Sequence, residues 1–375
     1  MKIALAVHDL HERGGHSRYT RILADQLARH HEVTVFANHC ERPPSAPWSF
    51  VPVRAWRRNA LATVLTFPIS LRTLTSRLAH FDVCHMQGYC GGNPNVVTAH
   101  ICLAAYLNCL RDISWQSRVS LHSMAAAEAR FYRAFQGQVI AVSQKVAREL
   151  KQFYQVRGSI TVIPHGVDSS RFNSNRTDSS RAQVRSELGI AEGSLLALYV
   201  GDLTKSHTHL KAVATASPEV EFVIVTASSQ YRWSARNVHI HPPTSQLERY
   251  FRAADAFVFP TTYDAFGMVV LEAMAAGLPV FCSDRAGVQE LISSGKDGFV
   301  FRLDDWVEET RAAFSDPDLL LTVGREARVT AGRHSWETVV SEVERVYFEV
   351  VRRADRSRLQ TLKPTVPSVS RGLSR

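Results

Sequence analysis

Short apolar segments alternate with amphipathic helical segments along most of the chain, and the alternation occurs in two successive series. The first series opens with KIALAV at 2–7 and EVTVFAN at 32–38, and ends near ITVIPHGVD at 160–168. The second runs from LLALYVGDL at 195–203 to GFVFR at 298–302. Fully apolar strands that alternate with helices are typical of parallel sheets covered on both faces. The chain is therefore predicted to be α/β, with two Rossmann-like domains that face each other across a cleft.

The domain boundaries follow from a change in composition. A polar segment rich in Ser, Asn and Arg separates the two series and indicates an interdomain linker. We expect an amino-terminal domain over 1–172 and a carboxyl-terminal domain over 173–335. The segment 336–355 has the periodicity of a long amphipathic helix, which we expect to cross back to the first domain. The basic tail over 356–375 has a composition typical of disorder.

Composition restricts the class of protein and its compartment. Of the 375 residues, 45% are hydrophobic and 21% charged, as in globular proteins that bury real cores. The opening stretch acquires histidine and acidic residues from His8 onward, so no signal-peptide core develops. The six cysteines never form a CxxC pair, and the spacing of those over 84–109 matches no common zinc site. We expect a reduced cytoplasmic protein without a bound metal.

Positive charge is concentrated in one segment. The net charge is +9, and no acidic residue occurs between Glu41 and Asp82. The arginines of this interval are Arg42, Arg54, Arg57, Arg58, Arg72 and Arg77. Such a block favours an anionic membrane surface or a phosphorylated acceptor, with nucleic acid less favoured, although a solvated basic face explains it as well. Because apolar residues and Trp56 are interleaved, peripheral contact with a membrane is a hypothesis.

Several common nucleotide and hydrolase motifs are missing. The Gly14-Gly15 pair lacks the third glycine of a dinucleotide fingerprint, and no GxSxG elbow occurs. Gly295-Lys296 is followed by Asp297 rather than Ser or Thr, so there is no P-loop. NAD and ATP enzymes of those kinds are disfavoured.

The stretch PTTYDAFGMVVLEAMAAGLPV, at 260–280, predicts a phosphate site. It follows the apolar strand AFVFP, and Gly267 begins a helix at the carboxyl end of that strand. Open α/β sheets bind ligands at this edge, and helix N-termini accept phosphate. The backbone N–H groups of Phe266, Gly267 and Met268 are the expected donors.

Two carboxylates flank that helix start. Glu272 lies more than a turn inside the helix, where it could accept two hydrogen bonds from a vicinal diol such as a ribose. Asp264 lies in the preceding loop and could reach sugar hydroxyls. Taken alone, however, their spacing favours an ordinary reading, a capping Asp and a partly exposed helix Glu.

The segment YDAFGMVVLEAMAAGLPVFCSDRAGVQELI resembles the carboxylate–x7–Glu signature of retaining family-4 glycosyltransferases. Further stretches agree in the family's order, and the resemblance extends to about residue 350. They are the Gly14-Gly15 loop, VVTAH ending at His100, AVSQKVARELKQFY, ITVIPHGVDSSRF and YVGDLTKS. The resemblance implies the GT-B fold, and the chain is similar to lipopolysaccharide-core glucosyltransferases and related cell-surface glycan enzymes.

The resemblance also implies a role for each motif residue. Glu272 would bind the nucleotide ribose, Asp264 the hydroxyls of the transferred sugar, and the backbone over 266–268 the diphosphate. Lys205 would neutralise charge on the leaving phosphate. His100, Lys205 and Asp264 are the implied catalytic residues.

Three positions allow a second reading. Gly15 would let its loop approach the diphosphate, but it also suits a tight turn. His100 would contact a sugar hydroxyl or the acceptor, although it could be a satisfied core histidine. His165 occupies what is often an Asn position in the family, and a structural turn role is favoured there.

Two charged residues depart from the family pattern. The first signature acid is usually Glu, whereas Asp264 is one methylene shorter; some members share this form. Asp202 stands where many members carry an Arg that pairs with the lysine on the diphosphate. Arg285 is one conceivable substitute for that charge.

The implied function is a retaining, metal-independent glycosyltransferase. It would move a hexose from a UDP- or GDP-sugar, UDP-glucose among them, to a glycan, glycolipid or lipid-linked acceptor in cell-envelope polysaccharide synthesis. No cofactor is expected, because the nucleotide sugar is a substrate. The protein would be cytoplasmic, with peripheral contact at the inner face of the membrane. A nucleotide-sugar epimerase of GT-B fold and an inactive nucleotide-sugar-binding protein are the alternatives.

Overall fold

The computed structural model describes residues 1–11, 14–110, 113–172, 179–228, 230–231, 233 and 235–361. The strands are β1 Lys2–Ala6, β2 Asp9–Leu10, β3 Glu32–Ala37, β4 His39–Cys40, β5 Ser49–Pro52, β6 Val83–Gln87, β7 Val96–Ala99, β8 Gln138–Ala141, β9 Ile160–Val162, β10 Leu195–Val200, β11 Val220–Val225, β12 Val238–His241, β13 Ala256–Phe259, β14 Val280–Ser283 and β15 Phe299–Phe301. The helices are α1 Gly15–Leu27, α2 Ala60–Arg72, α3 Thr75–Leu78, α4 Leu103–Cys109, α5 Trp115–Ala134, α6 Gln144–Tyr154, α7 Ser169–Phe172, α8 Ser179–Glu187, α9 His207–Ala216, α10 Leu247–Ala253, α11 Met268–Ala275, α12 Trp306–Phe314, α13 Pro317–Gly332 and α14 Trp336–Thr361.

Two parallel sheets organise the described residues. The first has the order β5-β3-β1-β6-β7-β8-β9, and the second the order β12-β11-β10-β13-β14-β15. All neighbouring strands in both sheets run parallel. Every residue of β6, β7 and β8 is buried, which explains why these strands lack an alternating polar face. The predicted fold of two Rossmann-like domains is confirmed.

The helix α14 crosses back to the amino-terminal domain, as expected. Its apolar face, which includes Val343 and Tyr347, joins the core formed by β1, β3 and α1. The Tyr347 hydroxyl lies 2.6 Å from Nδ1 of His85 on β6. The helix continues beyond the predicted end at 355 to Thr361, because no proline or glycine interrupts it before Pro364. The predicted disordered tail over 356–375 is thus wrong for 356–361, which belong to α14. The rest of the tail, like 173–178 of the linker, lies outside the described residues.

Among the described helices, none is both long enough and apolar enough to cross a membrane, which takes about 20 consecutive apolar residues.

Candidate active site

A cavity of about 650 Å³ lies between the two domains, and we call it the interdomain cavity. It opens where the carboxyl ends of central strands from both sheets meet, which is the usual ligand site of open α/β sheets. Every predicted site residue lines it, namely Gly15, His100, Lys205, Asp264, Phe266, Gly267, Met268 and Glu272. A second cavity of about 990 Å³, the outer cavity, lies beside it and shares Arg18, Leu247 and Glu272 with it.

The amino-terminal end of α11 faces the interdomain cavity. Gly267 precedes the helix with φ 99° and ψ 59°, a left-handed conformation that glycine adopts without strain. A Cβ at Gly267 would also lie 3.2 Å from Cγ1 of Val288. The N–H groups of Gly267 and Met268 come before the first helical hydrogen bond, so they have no acceptor within the helix. Together with the helix dipole they form a binding site for an anion such as phosphate.

Asp264 is held by its backbone and by one carboxylate oxygen. Its N–H donates to the Arg285 carbonyl at 3.2 Å, and its own carbonyl accepts the Gly287 N–H at 3.1 Å. Its Oδ1 accepts the N–H of Phe266 at 3.0 Å. Of the three predicted phosphate donors, Phe266 is therefore engaged by Asp264, and the donors at Gly267 and Met268 are left. One oxygen of Asp264 is left for a further partner.

Glu272 is buried within an apolar helix, with 3% of its surface exposed. Its carboxylate accepts a hydrogen bond from the guanidinium of Arg18, which lies on α1 of the other domain. Burial raises the pKa of Glu272, while the charge and hydrogen bond of Arg18 act to lower it. A buried carboxylate needs such a partner, so the reading as a partly exposed helix glutamate is wrong. Any ligand of Glu272 must compete with Arg18.

Lys205 ends a 3₁₀ turn that begins at Leu203. Its carbonyl accepts the N–H of Thr262, which ties this turn to the loop of Asp264. The Lys205 Nζ lies 5.2 Å from the centroid of the Tyr106 ring on α4, in the amino-terminal domain. Arg285, by contrast, is largely exposed and pairs with Asp284 at 3.3 Å. Arg285 is not part of the cavity lining, so the structure does not bring this suggested substitute into the site.

Asp202 holds the turn that carries Lys205. Its carboxylate accepts the N–H and the hydroxyl of Thr204, at 3.0 and 2.8 Å, and the hydroxyl of Ser228 at 2.8 Å. Burial raises the pKa of Asp202, but these hydrogen bonds and the charge of Lys205 outweigh it, so the pKa lies below its usual value. Asp202 therefore stays ionised and positions Lys205, although it brings no positive charge.

Three histidines line the amino-terminal side of the interdomain cavity. The ring centroids of His16 and His100 lie 4.2 Å apart, and the His165 ring stacks on Phe266 at 4.9 Å. Burial lowers the pKa of His16 to about 4 and that of His165 to about 3, and it lowers the pKa of His100 well below its usual value. All three rings are therefore neutral at physiological pH.

These histidines keep unused hydrogen-bonding atoms. His100 Nε2 lies 2.9 Å from Oε1 of Gln87. Within the described residues, His16 Nε2, His100 Nδ1 and both ring nitrogens of His165 are buried without a partner. A neutral imidazole can donate or accept one hydrogen bond at each free nitrogen, which suits the hydroxyl groups of a sugar. His165, for which the sequence favoured a structural turn role, is thus part of the cavity wall.

Contacts between the domains hold the loop that carries Asp264. The Ser143 hydroxyl, before α6, donates to the Ala265 carbonyl at 2.7 Å. The Tyr263 hydroxyl donates to Oε2 of Glu149 on α6 at 2.9 Å. Both contacts fix the carboxyl-terminal loop against the amino-terminal domain, so a change in domain closure would move Asp264 relative to His100.

Sequence reasoning missed Arg18 and His16. Both lie in the first turn of α1, just after the Gly14-Gly15 pair. The helical spacing could have indicated Arg18, since it lies one turn past the loop that was expected to approach the ligand and therefore on the same face of α1. Its partner Glu272 is 254 positions away, and no sequence pattern connects the two.

No group of three or more His, Cys, Asp or Glu side chains among the described residues could hold a metal ion. The expectation of a metal-independent reaction stays a prediction.

Comparison with known proteins agrees with this architecture. The model of Glycosyltransferase Family 4 matches residues 13–171, and that of Glycosyl transferases group 1 matches residues 195–316. The chain is 27% identical over 327 residues to the D-inositol 3-phosphate glycosyltransferase of Streptomyces avermitilis. The alignment covers 73% of this chain and 70% of that protein.

Two solved structures illustrate the likeness in fold. WaaG, a glycosyltransferase involved in lipopolysaccharide biosynthesis, has a TM-score of 0.77 at 20% identity, over 91% of this chain and 98% of WaaG. HepE of Anabaena, solved with UDP-glucose, has a TM-score of 0.72 at 17% identity, over 93% of this chain and all of HepE (100%). Because the two family models match successive segments of the chain in the order of its two sheets, and together cover most of it, the protein belongs to the family 4 glycosyltransferases of GT-B fold, enzymes that use nucleotide-sugar donors.

Proposed function

We propose that the protein is a retaining glycosyltransferase that moves a hexose from a UDP- or GDP-sugar to a glycan, glycolipid or lipid-linked acceptor of the cell envelope. The observation that carries the proposal is the order of groups along α11. An anion-binding helix end at Gly267 and Met268 lies between two carboxylates, Asp264 and Glu272. A nucleotide sugar has the same order, since its diphosphate lies between the transferred sugar and the ribose.

The donor is proposed to lie along α11. The N–H groups of Gly267 and Met268 bind the diphosphate, and Glu272 accepts hydrogen bonds from the ribose diol in place of Arg18. The transferred sugar then lies between Asp264 and His100, whose free nitrogen can bond a hydroxyl. Of the groups that were predicted to bind the donor, this orientation uses Asp264, Gly267, Met268 and Glu272, while the N–H of Phe266 is engaged by Asp264.

The proposed reaction follows a front-face route. The acceptor hydroxyl attacks the anomeric carbon on the side from which the nucleoside diphosphate departs, so the carbon–phosphate oxygen bond breaks as the new glycosidic bond forms. The acceptor proton passes to an oxygen of the departing phosphate. Lys205 stabilises the charge that develops there. Asp202, Asp264 and Glu272 each already hold hydrogen bonds, and we assign none of them as a covalent nucleophile.

The names of similar proteins support the finer parts of the proposal. HepE was solved with UDP-glucose, so UDP-glucose is the first donor to test. WaaG is involved in lipopolysaccharide biosynthesis, which supports an envelope glycan as the acceptor. The Streptomyces relative is named for an inositol phosphate acceptor, so acceptors differ among the similar proteins.

A donor screen followed by a transfer assay tests the function. Thermal-shift measurements with UDP-glucose, UDP-galactose, GDP-mannose and ADP-glucose should show stabilisation by a UDP- or GDP-sugar, about 2.7 kcal/mol at a concentration of about 100 times Kd. NMR of the product formed with a lipopolysaccharide-core acceptor should then show the donor's anomeric configuration. Conversion of the free nucleotide sugar without an acceptor would favour an epimerase. Binding without any turnover would favour an inactive binding protein.

Asp264 tests how the donor is held. Asp264→Ala is expected to lower kcat/KM for the nucleotide sugar about 10²-fold, because the sugar loses a carboxylate in a water-excluded site. The nucleoside diphosphate lacks the transferred sugar, which is the only part of the donor that Asp264 is proposed to contact. Its Kd should therefore change by less than about threefold, the effect of one weak exposed contact of about 0.5 kcal/mol. Asp264→Glu should keep activity.

Asp264→Asn is the matched control for the loop, because its amide oxygen can still accept the N–H of Phe266. Asp264→Asn therefore removes the negative charge and keeps the hydrogen bond that holds the turn, so it separates the effects of the two. Equal losses of sugar transfer and of nucleoside diphosphate binding in Asp264→Ala would contradict this assignment.

The basic segment is proposed to meet an anionic membrane that carries the acceptor. Trp56 is 73% exposed and Ile69 64% exposed, on the loop before α2 and on α2 itself. The exposed arginines of the same segment are Arg54, Arg57, Arg58, Arg72 and Arg77. Apolar side chains among cations match an anionic lipid surface, with about 1 kcal/mol for each basic residue near it. Phe67, on the buried side of α2, packs on His8 just after β1, with the ring centroids 4.9 Å apart.

Sedimentation with lipid vesicles tests this surface. The protein should bind vesicles that contain phosphatidylserine and not those of phosphatidylcholine alone. The pair Arg54→Glu and Arg58→Glu should weaken binding about tenfold or more at ~1 kcal/mol per charge, with activity on a soluble acceptor unchanged. Leu321→Ser, on the exposed side of α13, is the control. Equal binding to both kinds of vesicle, or no effect of the pair, would refute the membrane contact.

A further inference from the structure

The ion pair between Arg18 and Glu272 separates the interdomain cavity from the outer cavity. Both residues line both cavities. Arg18 belongs to the amino-terminal domain and Glu272 to the carboxyl-terminal domain, so the pair also bridges the cleft. The side chain of Arg18 is 28% exposed, whereas that of Glu272 is 4% exposed. The arginine is therefore the partner that can move at little cost in desolvation.

The charges of the interdomain cavity leave the donor's diphosphate short of positive partners. Among the described residues that line it, the acids are Asp202, Asp264 and Glu272, and the cations are Arg18 and Lys205. The lining histidines are neutral because burial lowers their pKa values. A diphosphate that enters adds further negative charge, and Arg18 is occupied by Glu272 before the donor arrives.

The geometry of the two helix ends brings Arg18 close to the diphosphate site. The first turn of α1 packs against the first turn of α11, since a Cβ at Gly15 would lie 3.2 Å from the sulfur of Met268. Arg18 lies one turn into α1 from Gly15, and it reaches Glu272, which lies one turn into α11. The N–H groups proposed to bind phosphate are at that same end of α11. The guanidinium thus needs only a rotation of its side chain to turn from Glu272 to the phosphate.

We propose that Arg18 exchanges partners when the donor binds: the ribose diol takes its place on Glu272, and its guanidinium turns to the phosphate that carries the sugar. This inference rests on the donor orientation proposed above. Glu272 keeps hydrogen-bond donors throughout, which a buried carboxylate requires. A guanidinium binds phosphate oxygens through two parallel hydrogen bonds, so the new pair is well suited in shape.

The exchange supplies a second cation for the leaving group from the opposite domain. Asp202 positions Lys205 but contributes no positive charge of its own. With Arg18 on the phosphate, the leaving group is held by a cation from each domain. The departing charge is then fully stabilised only when the domains are closed, which protects the donor from hydrolysis in an open state.

Binding of nucleotides to Arg18→Gln tests the exchange. Isothermal titration with UDP and UMP, and in parallel with GDP and GMP, compares ligands that differ by the phosphate in question. In Arg18→Gln the Kd of the diphosphate should rise about tenfold or more, because charge-assisted hydrogen bonds contribute about 1.5–3 kcal/mol, while that of the monophosphate changes little. The kcat for transfer should fall about 10²-fold. The Kd of the diphosphate for Arg18→Lys should lie between the values for the wild type and Arg18→Gln, since lysine keeps the charge without the paired hydrogen bonds.

Arg21→Gln is the matched control, because Arg21 lies on the same helix and lines only the outer cavity. It should leave the ratio of the two dissociation constants as in the wild type. If Arg18 serves only to hold Glu272, Arg18→Gln changes the Kd of the diphosphate and that of the monophosphate by the same factor, and the exchange is wrong. If the wild type binds neither UDP nor GDP, the proposed donor is wrong instead, so the two failures are distinguishable.

Discussion

Glu272→Ala is expected to abolish measurable transfer and to weaken donor binding about 10²–10³-fold. The proposed ribose contact is lost, and each of its two charge-assisted hydrogen bonds to Glu272 contributes about 1.5–3 kcal/mol to binding. Arg18 would also be left without its carboxylate in the cleft. Titration with the nucleoside diphosphate, together with a transfer assay, measures both effects.

Two comparisons keep this result interpretable. Glu272→Gln retains the shape of the side chain and one acceptor oxygen, so it should bind the donor better than Glu272→Ala. The melting temperature of each variant without ligand shows whether the fold has suffered from the unpaired Arg18. An unchanged dissociation constant in a folded Glu272→Ala protein would rule out the ribose contact.

Lys205→Ala is expected to lower kcat about 10²–10³-fold, with a much smaller effect on the Kd of the nucleotide sugar. Lys205 is proposed to act on charge that develops as the phosphate departs, and the loss of one such group typically has this size. Single-turnover kinetics with the preferred donor separates the chemical step from binding. The turn itself should persist, because Asp202 holds it through Thr204 and Ser228 rather than through the lysine side chain.

The control for Lys205 is Lys211→Ala on the exposed side of α9, which removes the same charge outside the cavity. It should leave kcat unchanged. If Lys205→Ala raises only the Kd of the nucleotide sugar and preserves kcat, the lysine stabilises the bound donor and the transition state equally. That result would contradict its proposed role in the departure of the phosphate.

The fold could be predicted from the sequence because the pattern is strong. Buried parallel strands are apolar on both faces, and helical segments follow each of them, so both sheets are visible as alternation. The phosphate site around Gly267 could also be predicted, since a glycine at a strand-to-helix junction suits a left-handed backbone and lets a ligand approach the main chain closely. The eight predicted site residues accordingly share one cavity, while their roles in binding and catalysis stay predictions.

The missed features depend on contacts between distant residues. Arg18 meets Glu272 only because the two domains close over α1 and α11. The part that Asp202 plays depends on Ser228, which lies in the loop that follows the neighbouring strand β11. His165 follows a strand in a turn-like sequence, and packing against Tyr19, Phe266 and Trp336 places its ring at the cavity wall. Such side-chain pairs are set by tertiary packing, which local sequence patterns do not report.

A crystal structure with the preferred nucleotide sugar bound tests the central claim most directly. We predict that the ribose hydroxyls lie within hydrogen-bond distance of Glu272, that the diphosphate accepts the N–H groups of Gly267 and Met268, and that the sugar contacts Asp264. A nucleotide bound outside the interdomain cavity, or a ribose that makes no contact with Glu272, would contradict the proposed donor site.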